Sequence, residues 1–488
     1  MSDNEPDTGP ATPAAEKSRG RWRRKRGMIL VFLVGGALLA FAVAGLLVNI
    51  AQRKAEGQNT FAKVVDLDEQ TYDPSVWGQN FPAQYEGWKA TEEMQPDDTV
   101  TRTPTAQDPR TTVAHSKIEA DPRLVTMWRG YAFEIDYREP RGHFYMLIDQ
   151  RYTKRVLERP QPGACLNCHA SLPEITTALD KGDQAAGWAI MNKTPYNEVT
   201  KLAKHPVGCI DCHNPQTMTI RVTRPAFIAG IAQYKASQGI KDYDVNKQAT
   251  VQEMRNFVCA QCHVEYYFKG DAKTLTFPWD KGLTVDDALA YYDEVGWTDF
   301  THKLTGARVL KAQHPDYETY SQGVHAKAGV TCADCHMAYK REGAMKVTDH
   351  QIRSPMTNES TINRSCMTCH RTTEADMRQR VETIHDRYEH AKNVSFDALT
   401  ALITDIEKAR TSGTAQDRID RAQSFQRKAQ FFMDYVVSEN SRGFHAPAYT
   451  IRVLNDVTDA SRLGQLALLG QQPKTTTKPA LQPPAPAS

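Results

Sequence analysis

Five copies of one five-residue word hold every cysteine in this chain. Cys165-Cys168-His169, Cys209-Cys212-His213, Cys259-Cys262-His263, Cys332-Cys335-His336 and Cys366-Cys369-His370 all read Cys-x-x-Cys-His, the attachment signature of c-type haem. The chemistry dictates the spacing. Two thiols three positions apart form thioethers with the two vinyl groups of one porphyrin, and the next residue sets an imidazole beneath the iron as proximal ligand. Structural zinc would pair Cys-x-x-Cys units without demanding a His after each, and a redox Cys-x-x-Cys has no use for that His. Since all ten cysteines are consumed, the sequence implies five covalently bound haems c and leaves no thiol for disulfides.

The first cysteines of the motifs stand at 165, 209, 259, 332 and 366. The unequal gaps exclude a solenoid of identical repeats. Five haems would form much of the core themselves, which suits a chain that is 40% hydrophobic. The length of 488 residues allows two or three domains. A net charge of +2 argues against a nucleic-acid binder, which shows a basic domain.

One stretch is apolar enough to span a bilayer. Lys17, Arg19, Arg21, Arg23, Arg24, Lys25 and Arg26 precede Met28–Ile50, which carries no charge. That length crosses a hydrocarbon core of about 30 Å. The cations stay on the cytoplasmic side, so everything after Ile50 is exported. A cleaved signal peptide has a shorter apolar region and ends at small residues; this one ends Leu-Leu-Val-Asn-Ile, and an uncleaved anchor is expected. Residues 1–16 and the Pro-, Thr-, Lys- and Ala-rich 472–488 read as disordered tails.

Ten histidines lie outside the motifs: His115, His143, His205, His302, His314, His325, His350, His385, His390 and His445. A low-spin electron-transfer haem takes a second axial ligand. Ten are enough to cap five irons, so counting alone does not separate an enzyme with an open iron from a wire. Beyond the motifs, 371–412 and 414–442 lack Gly and Pro and flank Gly413, which predicts two long helices in a hairpin. Met377, Val381, Ile384, Tyr388 and Ala391 recur at helical spacing, as on one packing face. His385 and His390 fall among charges on the first of these helices and read as solvated.

From about Tyr131 to Leu454 the chain resembles pentahaem cytochrome c nitrite reductase, the ammonia-forming family. The words that carry the resemblance are Arg141-Gly-His143, Cys259 through Phe268, Phe277-Pro-Trp-Asp280, Lys311-Ala-Gln313-His314-Pro315, Thr348-Asp-His350 and Gly443-Phe-His445-Ala-Pro447. In that family the first motif carries the catalytic haem, and many members have Lys as its proximal ligand. This chain has His169, like the His-type branch. The resemblance implies Arg155, Tyr266 and His314 over an open first iron. It implies His350, His143, His445 and His325 as distal ligands of the second, third, fourth and fifth haems. It also implies a calcium held by Glu265, the main-chain carbonyls of Tyr266 and Lys311, and the side-chain oxygen of Gln313. These residue types suit such chemistry. A fixed cation gathers the anion nitrite, a His with a pKa suited to neutral pH passes protons, and oxygen ligands suit a hard cation.

The expectation is therefore a mainly α, multihaem cytochrome c with a haem-packed core and a long C-terminal helical hairpin. Its parts would be a cytoplasmic basic tail (1–27), an anchor (28–50), an N-terminal exported segment (51–130), a pentahaem catalytic domain (131–370), long helices forming a dimer interface (371–471) and the tail (472–488). It would be an oxidoreductase taking nitrite to ammonium on the outer side of the cell membrane. Its donor would be a membrane tetrahaem quinol dehydrogenase or a soluble c-type cytochrome, and it would form a homodimer. The rival readings are a non-catalytic electron conduit, or a reductase acting mainly on hydroxylamine or sulfite.

Overall fold

The computed structural model describes residues 14–57, 63–93, 99–343 and 345–471, with side chains of 14–27 and 52–57 outside the description. The expected tails at 1–13 and 472–488 lie outside it as well. Helix α1 (Ala14–Gly57) takes in the last three residues of the expected N-terminal tail. It contains an apolar span, Met28–Ala51, one residue longer than expected and with a mean hydropathy of 2.7. Its described side chains are exposed.

A second unit comprises Lys63–Lys340 and the residues from Val347 on. Its helices are short up to the last motif, because Gly, Pro and the motifs themselves interrupt them. Helix α2 (Val251–Ala260) leads into the third motif and starts at a capping box, in which Thr250 accepts from the Glu253 N–H and Glu253 accepts from the Thr250 N–H. Thr331 and Asp334 build the same box at the start of the short helix over Cys332–His336. Strands pair only two by two. The hairpin of β1 (Tyr267–Lys269) and β2 (Thr274–Thr276) is antiparallel, with Tyr267 opposite Thr276.

The C-terminal part is α3 (Glu374–Thr411), α4 (Gln416–Ser438) and α5 (Pro447–Leu468). The first two are the expected hairpin, turned at Gly413 with φ 76°, where only Gly is free of strain. Of the expected face, Met377, Val381 and Tyr388 are buried, and Ile384 and Ala391 are half-buried. Helix α5 joins them as a third member. It begins with Pro447 in its first turn, where the missing N–H costs nothing. Close approach is set by Gly464, where a Cβ would meet Leu402 Cδ1 at 2.7 Å. Phe396, Leu399, Phe431, Phe432, Val453 and Leu454 form the bundle core, and the same cluster takes in Trp128, Tyr137, Tyr292 and Leu310. Each such side chain contributes about 1.5–3 kcal/mol by burial.

Candidate functional site

Four of the motif histidines are held through Nδ1. His169 donates to the Met146 carbonyl (3.1 Å), His213 to Met218 (3.0 Å) and His336 to Arg353 (2.9 Å). The His263 ring meets Asp316 Oδ2 at 3.0 Å. An imidazole whose Nδ1 carries and donates the proton presents a bare Nε2, the form that ligates a metal.

The expected distal histidines come to the expected partners. The ring centroids of His213 and His350 lie 6.3 Å apart, those of His143 and His263 6.5 Å, those of His336 and His445 6.3 Å, and those of His325 and His370 6.2 Å. This spacing has a physical reading. An imidazole nitrogen sits about 2.0–2.1 Å from a first-row metal and about 1 Å outside its own ring centre, so two rings capping one metal have centroids roughly 6 Å apart. The distances are too long for ring stacking and too short for an intervening side chain. Two distal rings are also fixed through Nδ1: His350 to the Thr348 carbonyl (2.8 Å) and His445 to Glu439 Oε1 (2.6 Å). Polar side chains around the motifs fit porphyrin propionates. Arg353 and Arg364 line a cavity with Cys335 and His336, and each keeps a buried Nε without a partner.

His169 has no second imidazole paired with it among the described residues. Arg155, Tyr266 and His314 gather near it instead. The Arg155 guanidinium lies 4.1 Å from the centre of the Phe133 ring. It is close enough to act electrostatically on Cys165 and Tyr266 and on His169. Among the described residues it makes no ion pair. Burial works against its charge, yet a guanidinium does not give up its proton. Arg155 is half-buried, Asp136 acts on it without pairing, and a cation outside any ion pair suits an anionic ligand. Tyr266 is buried, and burial raises its hydroxyl well above the ordinary value, so it stays a proton donor. His314 corrects an expectation. Burial, with His263, His169 and Lys311 adding to it, pushes its pKa down to about 3. At neutral pH it is a neutral imidazole, suited to hydrogen bonding and relay rather than to holding charge.

The third motif positions these groups. Tyr266 follows Cys262-His263-Val264-Glu265 and leads into β1. The segment 313–317 lies alongside: the His314 N–H donates to the Val264 carbonyl (3.3 Å) and the Tyr317 N–H to His263 (3.1 Å). Glu265 is fully buried. Its Oε1 accepts from Tyr292 Oη (2.9 Å) and its Oε2 from the Gln313 N–H (2.6 Å). It has no cationic partner among the described residues. Burial raises it well above the carboxylate range and lifts nearby Asp299 to about 6. The Lys311 side chain is engaged elsewhere, on Asp434 at 2.9 Å. An uncompensated buried carboxylate flanked by the Tyr266 and Lys311 carbonyls and the Gln313 amide is a donor set for a hard cation.

The remaining histidines are not part of this assembly. His302 is buried with Nε2 on the Thr126 carbonyl, and His205 pairs with Glu174. His115 and His390 are exposed and His385 is half-buried. Sequence reasoning missed Asp316 and Glu439 behind two imidazoles, and Tyr292 on Glu265. It also missed the Arg224–Asp211 pair (2.6 Å), both wholly buried, which ties the first motif to the second. A carboxylate two residues after His314 was the one local signal.

A family model described as cytochrome c552 matches residues 73–487. Among curated relatives, a cytochrome c-552 of Parabacteroides distasonis is 38% identical over 446 residues, covering 89% of this chain and 84% of the relative. A cytochrome c-552 of Desulfotalea psychrophila is 34% identical over 465 residues, covering 90% and 84%. Among solved structures, the cytochrome c nitrite reductase of Desulfovibrio desulfuricans, a catalytic subunit described with two calcium sites, superposes with a TM-score of 0.70 at 27% identity. That match covers 84% of this chain and 88% of that one.

Proposed function

The chain belongs to the cytochrome c552 family, and on that premise we propose that it is a membrane-anchored pentahaem oxidoreductase that reduces nitrite to ammonium. One observation carries the reading. Four motif histidines face a second imidazole at one-metal spacing, while the remaining one, His169, stands near a half-buried cation outside any ion pair, a buried phenol and a neutral imidazole.

In this reading His350, His143, His445 and His325 would hold the second to fifth haems opposite their motif histidines, and the first would have no such second imidazole. The haems supply stored electrons and, at the first, a redox-active position for the substrate. The overall change takes one nitrite, six electrons and eight protons to one ammonium and two waters. Arg155 draws the anion in and orients it. His314 and the Tyr266 hydroxyl donate hydrogen bonds to its oxygens and pass protons as they leave as water. Glu265, Gln313 and the Tyr266 and Lys311 carbonyls would hold a calcium, whose charge would compensate Glu265 beside both distal residues. The α1 span holds the catalytic unit at the outer membrane face. That placement suits a membrane tetrahaem quinol dehydrogenase as donor, with a soluble c-type cytochrome as the alternative. The long C-terminal helices serve a homodimer.

The test is reduced viologen and nitrite with the anaerobic haem-loaded protein, ammonium being measured for wild type and Arg155→Ala. Near-stoichiometric ammonium, lost in the variant, is expected. No turnover, with an electron paramagnetic resonance (EPR) spectrum of low-spin haem alone, would make the protein a conduit.

A further inference from the structure

The acceptors behind the imidazoles are of two kinds. Those of His169, His213, His336 and His350 are backbone carbonyls. Those of His263 and His445 are carboxylates, Asp316 and Glu439. The third and fourth haems, in the ligand assignment proposed above, would each have one such carboxylate.

Both carboxylates are buried, Asp316 at 8% and Glu439 at 4% exposure. Neither has a Lys or Arg within ion-pair distance among the described residues. Asp316 Oδ1 accepts the Asn440 N–H (2.9 Å), and Glu439 accepts from the Ser441 N–H and hydroxyl (3.1 and 2.8 Å). One three-residue segment thus serves both acids. Asp316, Glu439 and His445 present donor atoms all within 4.8 Å of one another. Two of those oxygens are already taken by imidazoles, so the cluster backs the haem ligands rather than forming a separate metal site.

A carbonyl offers a dipole, whereas a carboxylate offers a full charge. Donating Nδ1–H to a carboxylate raises the basicity of the ligating nitrogen and favours the ferric state of the metal it holds. Axial ligation and its hydrogen bonds are among the levers that set haem potential. The motifs also adjoin in a definite order: the Cys168 side chain meets Cys262, and Cys259 meets Cys332. The attachments of the first and fourth haems therefore both adjoin that of the third.

We propose that Asp316 and Glu439 are redox-positioning residues that hold the third and fourth haems at lower potential than the first, so that the last electron transfer runs downhill to the substrate haem. The proposal rests on the ligand assignment, and the two fail differently. The experiment is a potentiometric titration of the haem-loaded protein followed by EPR, comparing wild type, Asp316→Asn, Asp316→Glu and Glu439→Gln. Wild-type protein without four bis-imidazole low-spin components would refute the assignment itself and this proposal with it. Given those four, Asp316→Asn is expected to raise one component by at least tenfold in its reduced-to-oxidised ratio at fixed potential, which is 59 mV for one electron. A second component rises less, and the other three stay. Asp316→Glu restores the wild-type value, and Glu439→Gln places its larger shift on the other member of the pair. Variants with five haems and an unchanged fold in which no component moves, or all move alike, would overturn the proposal. Should Asp316→Asn fail to load haem, Glu439→Gln carries the same test alone.

Discussion

Replacing Arg224 by Met should loosen the first haem before it touches the others. Arg224 and Asp211 are wholly buried and paired at 2.6 Å. The guanidinium also donates from Nε to the Asn167 carbonyl (3.0 Å) and from a terminal nitrogen to Ala170 (3.1 Å), one residue inside and one just beyond the first motif. Asp211 lies inside the second motif and accepts the Leu172 N–H (3.0 Å) and the Gly208 N–H (2.8 Å) as well. Although burial works against its charge, Asp211 holds the guanidinium above its ordinary value. Removing one partner of such a pair costs about 3–5 kcal/mol, because the other charge stays buried. Unfolding entropy is about 2.1 cal/mol/K per residue near 60 °C, so for a unit of roughly 400 ordered residues this lowers Tm by about 4–6 °C. Thermal unfolding followed by circular dichroism measures it. The double variant Arg224→Met/Asp211→Asn removes both charges and should lose far less than the sum of the singles. In EPR, the signal of the first haem should broaden or shift while the bis-imidazole signals hold. Additive losses in the double variant, or equal disturbance of all five haems, would refute the clamp.

Three further outcomes are expected. A Cβ at Gly323 would collide with the His445 carbonyl, so Gly323→Ala should cost about 1–3 kcal/mol and disturb the low-spin signals of the haems that His325 and His445 cap. The His205–Glu174 pair (3.1 Å) gives a pH signature. Glu174 raises the pKa of His205, a contribution fully present below the unfolded value near 6.5 and lost as pH rises through the folded one. Glu174 itself is lowered despite burial, a contribution present above its unfolded value and lost in acid. Glu174→Gln should therefore reduce Tm more at pH 6 than at pH 9, and an equal reduction at both would refute the pair's role. Finally, chelating calcium should raise KM for nitrite and lower ammonium production, and Glu265→Gln should blunt the sensitivity to chelator; activity indifferent to chelation would remove calcium from the site.

Much of the haem scaffold was legible because each motif is a word: Cys-x-x-Cys-His marks five attachment points without any tertiary knowledge, and the four histidines proposed as distal ligands sit in recognisable segments. What surrounds the rings was not legible. Asp316 and Glu439 are two acids among 58, and only folding brings Glu439 to His445 and the following Asn440 to Asp316. Lys311 was placed for its carbonyl, but its side chain pairs with Asp434, more than a hundred residues away. The third long helix was not singled out within the expected 371–471 helical region; Pro447 stands at its start, where proline is an initiator. His314 was read with the ordinary range of an imidazole, whereas its enclosure in the folded chain pushes its pKa down.

The charges around the proposed distal site are best understood together. Two cations face the Phe133 ring, half-buried Arg155 at 4.1 Å and buried Lys311 at 4.7 Å from its centre. Asp434 cancels Lys311 at 2.9 Å, with both side chains essentially inaccessible. Arg155 makes no ion pair among the described residues; Asp136 acts on it but is paired with Arg138, so the end of the ring at Arg155 keeps a positive field. Glu265 stands on the other side of this balance. It is adjacent to Tyr266, and an uncompensated carboxylate there would oppose the field that draws an anion in. The protein could have answered with a basic side chain, but its one buried lysine in reach is committed to Asp434. A divalent cation on Glu265 does more than neutralise it: it reverses the local sign and adds to Arg155. On this reasoning, and on the function proposed above, calcium would be an electrostatic part of nitrite capture as well as a brace for the Tyr266 and His314 backbone, so its removal should appear in KM and not in stability alone.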